Sequence, residues 1–110
     1  MESEVLKTTT ELITRDFEIE QSSEDLVSEE QLLDMLAERI AFLIENRMEF
    51  LLSLMYRLDV NEAKVHAALS PFAPEPAHIG IAKLVLERQK QRAFTKQHYR
   101  QQPLQDIDEW

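Results

Sequence analysis

Three histidines, a row of evenly spaced cations and a scatter of carboxylates are the residues here whose types could do chemistry. Glu62 and His66 stand four residues apart and so share a face if they lie on a helix, where a carboxylate and an imidazole could begin a metal site. A bundle metal centre of the carboxylate type needs several carboxylates and the closer Glu-x-x-His spacing on two helices, and the Glu62–His66 pair alone does not supply one. His66, His78 and His98 are therefore read as surface or interface histidines. The chain has no cysteine, which excludes a thiolate ligand, a thiol nucleophile and a disulfide framework. No nucleophile elbow marks a Ser/His/Asp arrangement, and Glu45 and Glu49 fit the ordinary pattern of solvated helical acids. No cofactor is expected, and the reading is against an enzyme.

The cations are more informative. Arg88, Arg92, Lys96 and Arg100 follow one another at four-residue intervals, which on a helix makes a basic stripe fit for an acidic partner. They continue into the arc that Ile81, Ala82 and Val85 occupy two turns earlier, so an apolar face becomes a basic one. This half of the helix is expected to leave the core, either solvated or docked on acids. Overall the formal charge is −9, but it is unevenly spread: residues 1–62 carry 16 acids and 5 bases, and residues 63–104 carry 2 acids and 7 bases. Such a body opposes binding to nucleic acid or anionic lipid while leaving the local stripe able to meet an acidic surface.

The elements that must position these residues are helical. From Ser28 to Leu58, Leu33, Leu36, Ala37, Ile40, Leu43, Ile44, Phe50, Leu51, Leu54, Met55 and Leu58 return every three or four residues, the period of one helix face. Ser28 with Gln31 has capping-box spacing, and Glu29 and Glu30 suit the positive end of the helix. Midway, Asn46 and Glu49 repeat the cap spacing and Arg47 falls within the apolar arc. Either one helix runs through, or the chain turns at Asn46 into a second helix. A weaker apolar row on the other side, Met35, Phe42, Leu52 and Tyr56, exceeds what a one-sided helix needs and points to a homodimer interface.

Residues 1–27 read as a flexible N-terminal arm and linker, loosely held and partly helical, although three consecutive threonines and the alternation Ile13, Arg15, Phe17, Ile19 also suit a strand. After Leu58, DVNEAKVHAALS offers a short helix starting at Asp59 or Asn61, with alanines that allow close approach of another helix. SPFAPEP ends it, with Phe72 expected to plug one end of the core. The last helix opens at Pro76 or Ala77 and runs to about Gln97, with Gly80 permitting a close crossing, and residues 101–110 read as a disordered acidic tail. The segments MYRLDVNEAKV and IAKLVLERQKQR resemble a pattern of small, uncharacterised helical proteins of bacteria over at most residues 45–96; the resemblance implies a helical fold and carries no activity or site residues.

The fold class is therefore all-α: a small helical bundle over residues 28–100, with the arm before it and a long, partly basic C-terminal helix. With no apolar run near the roughly 20 residues needed to span a bilayer, and no secretory signal in MESEVLKTTTEL, a soluble, cytoplasmic protein is expected. The leading function class is a helical protein–protein interaction or structural module, homodimeric and with a further protein partner not identifiable from sequence. A nucleic-acid-associated protein using the basic helix ranks second, because SPFAPEP is too long and proline-rich for the turn of a helix-turn-helix. An enzyme ranks third.

Overall fold

The computed structural model describes residues 3–19 and 28–101, with the backbone alone for Ser3 and residues 97–101. Five helices make up the described residues, with no strand among them: α1 (Ser3–Asp16), α2 (Glu29–Asn46), α3 (Met48–Arg57), α4 (Glu62–Leu69) and α5 (Ala77–Gln101). The protein is all-α, and α5 is its axis, packed most extensively against α1 and α2 and more lightly against α4.

The N-terminal residues settle as helix and not as strand. Thr9 and Thr10 donate their hydroxyls one turn back, to the carbonyls of Val5 (2.6 Å) and Leu6 (2.8 Å), so the threonine run satisfies its polar atoms inside the helix. Glu18 takes a left-handed conformation (φ 56°), and the Ile19 amide donates back to the Thr14 carbonyl, closing α1. The sequence reading of a loosely held arm is corrected here for residues 3–19. Thr9, Ile13 and Phe17 are fully enclosed, and the latter two join the main core with Leu32, Leu36, Ile40 and Leu43 of α2. Alternating apolar residues looked strand-like because Ile13 and Phe17 are also one helical turn apart. Residues 20–27, the expected linker, lie outside the described residues, as do 102–110.

The α2 start is the capping box the sequence spells: the Gln31 amide donates to Ser28 Oγ (3.0 Å) and the Ser28 amide to Gln31 Oε1 (2.8 Å). Replacing Ser28 with alanine leaves an N-terminal donor without this partner and should lower stability by about 1 kcal/mol. Urea titration of the two proteins measures it; an unchanged midpoint would mean that the cap is redundant.

Between the two open readings of the central stretch, the structure takes the corner. Arg47 leaves helical geometry (φ −146°, ψ 57°), separating α2 from α3, while its amide still donates to the Leu43 carbonyl. The break carries Arg47 to the surface, where its guanidinium lies 4.5 Å from the centre of the Phe50 ring. The charge thus never enters the core, and the apolar phase continues on the far side with Leu51, Leu54 and Met55. On α2 the buried face is rotated slightly from the sequence reading, with Leu32 fully enclosed and Leu33 half-buried.

Asn61, not Asp59, caps α4, accepting from the Lys64 amide at 3.0 Å. The expected close crossing is present: a Cβ built on Gly80 would lie 3.3 Å from Ala68 Cβ, so α5 meets α4 at van der Waals range. Phe72 does not plug the core; it is 93% exposed, and Val60, Val65 and Leu58 close that end instead. The basic half of α5 does not leave the core either. Gln89 and Ala93 are fully enclosed, Ala93 in a second small cluster with Val5 and Leu12 of α1. With α1 packed, this half of α5 has a neighbour to bury against.

Candidate interaction surfaces

Two surface features combine exposure with shape. The first lies at the α3–α4 corner. Leu52 and Tyr56, one turn apart on α3, are 41% and 86% exposed, and both line a cleft of about 750 Å³ with Met55, Val60 and Val65. Arg57, Asp59, Asn61, Glu62 and His66 complete its walls. The cleft exists because the chain turns sharply at Asp59, which takes a left-handed conformation (φ 61°), and sets α4 beside the end of α3. Its base is fixed by core residues, since Met55, Val60 and Val65 are buried.

Of the four residues the sequence groups on this side, the structure brings Leu52 and Tyr56 together at the cleft. Met35 and Phe42 belong to α2, across the break at Arg47, and do not line it. Met35 is half-buried; Phe42 is 46% exposed, with the Arg39 guanidinium 5.1 Å from the centre of its ring. Arg39 is itself held by a hydrogen bond from Nε to the Phe17 carbonyl (2.9 Å).

The second feature is a groove of about 370 Å³ between α1 and α5, lined by Leu12, Arg15, Arg88, Gln91, Arg92, Thr95 and Lys96. Three of the four cations of the sequence stripe are in it; the side chain of Arg100 is outside the described residues. Arg88 is anchored through Nε to the Leu58 carbonyl (2.9 Å), with Asp59 3.7 Å from its Nη2. Arg92 donates Nη1 to Gln89 Oε1 (2.9 Å), and Gln89 in turn donates Nε2 to Asp16 Oδ2 (2.9 Å). Gln89 is the residue that sequence reading missed. Its signal was present, because Ile81, Val85, Gln89 and Ala93 form one uninterrupted four-residue row, all fully buried. Arg15 and Leu12 were missed because nothing local shows that α1 lies along α5.

Glu62 and His66 both border the first cleft, and among the described residues no group of three or more His, Cys, Asp or Glu could hold a metal ion. Glu75 and His78 also have Glu-x-x-His spacing, but Glu75 pairs with Lys83 at 2.9 Å. No helix among the described residues is long and apolar enough to cross a membrane. What these features define is a small all-α protein with a cleft at the α3–α4 corner and a basic groove between α1 and α5. Comparison of the chain with protein-family models, curated proteins and solved structures finds no match.

Proposed function

We propose that this protein is a helical interaction module of the cytoplasm that self-associates through the α3–α4 corner. The observation that carries the reading is the pairing of knob and hole on one patch: Tyr56 projects at the rim of the cleft that it lines. A two-fold interface uses the same patch on both copies and so requires a self-complementary surface. Here Tyr56 of one copy can enter the cleft of the other, and the reverse contact follows by symmetry. The rim carries both signs, Arg57 against Asp59 and Glu62, so two copies can pair charges across the axis. Met35 and Phe42 on α2 are proposed as an extension of this interface. The absence of cysteine accords with a reducing compartment.

Sedimentation velocity across a concentration series tests the proposal. Burying a large aromatic side chain contributes about 1.5–3 kcal/mol, so Tyr56→Glu should weaken the dimer by roughly ten- to more than a hundredfold. Its exposure means that the monomer fold should persist. Because each copy carries a formal charge of −9, association should tighten as salt screens the mutual repulsion. Phe42→Glu reports separately on the extension. A protein that stays monomeric at high micromolar concentration in moderate salt would end the proposal.

A further inference from the structure

We infer that the groove between α1 and α5 is a binding site for an acidic peptide segment of a partner protein, one that alternates carboxylates with an apolar side chain. This site is separate from the α3–α4 corner and does not depend on self-association.

The first support is charge. Arg15, Arg88, Arg92 and Lys96 line a groove of about 370 Å³ in a protein whose formal charge is −9. Two carboxylates of the described residues come within ion-pair distance of them: Asp16, at 3.1 Å from Arg15 Nε and 3.7 Å from Arg92 Nη1, and Asp59, at 3.7 Å from Arg88 Nη2. Asp59 is solvated, with 89% of its side chain exposed, and 3.7 Å is a loose contact. Lys96 has no ion-pair partner among the described residues. The groove thus holds four cations against two acids, and it concentrates them on two facing helices.

The second support is preorganisation. A flexible surface arginine loses rotamer freedom when it binds, which subtracts from affinity. Two of these arginines are already positioned. Arg88 is tied by Nε to the Leu58 carbonyl at 2.9 Å, and its Nη1 donates to Gln91 Oε1 at 3.3 Å. Arg92 is tied at 2.9 Å to the Gln89 amide oxygen, and Gln89 is fully buried and fixed from its other end by Asp16. A buried glutamine that orients a half-buried guanidinium gives the core no apolar contact that leucine would not give better, whereas it does hold a donor at the groove.

Shape decides among anions. Leu12, almost wholly buried, adds a small apolar surface to the groove on α1, the helix that also carries Arg15. An extended peptide places alternate side chains on opposite sides, so its acids, all on one side, can meet the α5 cations while its apolar residues, on the other, contact Leu12 on α1. Arginine forks match carboxylates in two-point geometry. A nucleic-acid duplex would need a broader basic face than this groove, on a body whose net charge repels it.

Fluorescence anisotropy with a labelled Gly-Asp-Leu-Asp-Leu-Asp-Gly peptide and the full chain tests the site at low and moderate salt. Saturable binding that weakens with salt is expected. Arg15→Glu combined with Lys96→Glu should reduce affinity roughly tenfold or more, because both walls lose a cation and gain an acid. Both positions are exposed, and circular dichroism verifies that the variant remains helical. Lys64→Glu with Lys83→Glu makes the same change in net charge outside the groove and should leave most of the binding intact. Absence of saturable binding, or equal loss in the two double variants, would overturn the inference. So would tighter binding of a mixed-sequence DNA duplex than of the peptide, since that would make the groove a polyanion site.

Discussion

Truncating Phe17 to alanine is expected to remove about 3–5 kcal/mol of folding stability, the range for emptying a large aromatic side chain from a packed core. Phe17 is fully buried, lies beyond the last turn of α1 and contacts the main core through the same cluster as Leu36 and Ile40. Its carbonyl also accepts from Arg39 Nε at 2.9 Å, so the backbone at this point is tied to α2 as well as the side chain. Against a total of about 5–15 kcal/mol for a domain of this kind, the loss leaves a protein close to its unfolding threshold at 25 °C. Chemical denaturation followed by circular dichroism gives the number directly. A loss below about 1 kcal/mol would mean that α1 is dispensable to the core and that the bundle is complete without it. The result bears on function too, because α1 supplies Leu12 and Arg15 to the groove against α5.

Local chemistry was the legible part of this sequence. The capping box at Ser28 and Gln31 and the tight crossing at Gly80 each depend on a few neighbouring residues and appear in the structure as the spacing implies, and the α4 cap is Asn61, one of the two starts that the spacing offers. Arg47 was legible as a conflict, a charge in an apolar arc, and the structure removes the conflict by breaking the helix there. Long-range pairing was not legible. Nothing near Arg88 or Arg92 announces that α1 runs alongside, so the turns that bury Gln89 and Ala93 looked like turns leaving the core. Phe72 failed for the opposite reason: a large aromatic among prolines seemed to need burial, yet Val60 and Val65 are the residues that join the core there and Phe72 stays exposed. The same limit applies to the surfaces. Leu52 and Tyr56 share a helix face by spacing alone, but the cleft beside them exists only because α4 folds back after Asp59.

That corner gives the second large effect. Gly80→Leu should destabilise the protein by about 1–3 kcal/mol, the usual cost of forcing extra atoms into a filled contact, with the damage concentrated in α4. The first added atom would already lie 3.3 Å from Ala68 Cβ, and the rest of a leucine side chain must push α4 away or find another path. α4 is the element that yields, because it is eight residues long and Val65 is its one buried residue, whereas α5 is anchored along both α1 and α2. Gly80→Ala separates contact from backbone: alanine gains about 1 kcal/mol of helix propensity over glycine, and the tight Ala68 contact opposes that gain, so a net change within about 1 kcal/mol is expected. Ala68→Gly combined with Gly80→Leu opens space opposite the new side chain. If the crossing is the cause, the pair should be less destabilised than the sum of the single changes, even though glycine in α4 itself costs about 1 kcal/mol. Additive losses would place the leucine's damage somewhere other than Ala68. Displacing α4 also moves Val65 and His66 away from Tyr56 at the cleft, so Gly80→Leu should weaken self-association together with stability. Tyr56→Glu should weaken self-association alone, and that contrast between the two variants distinguishes a built cleft from an exposed tyrosine that happens to be sticky.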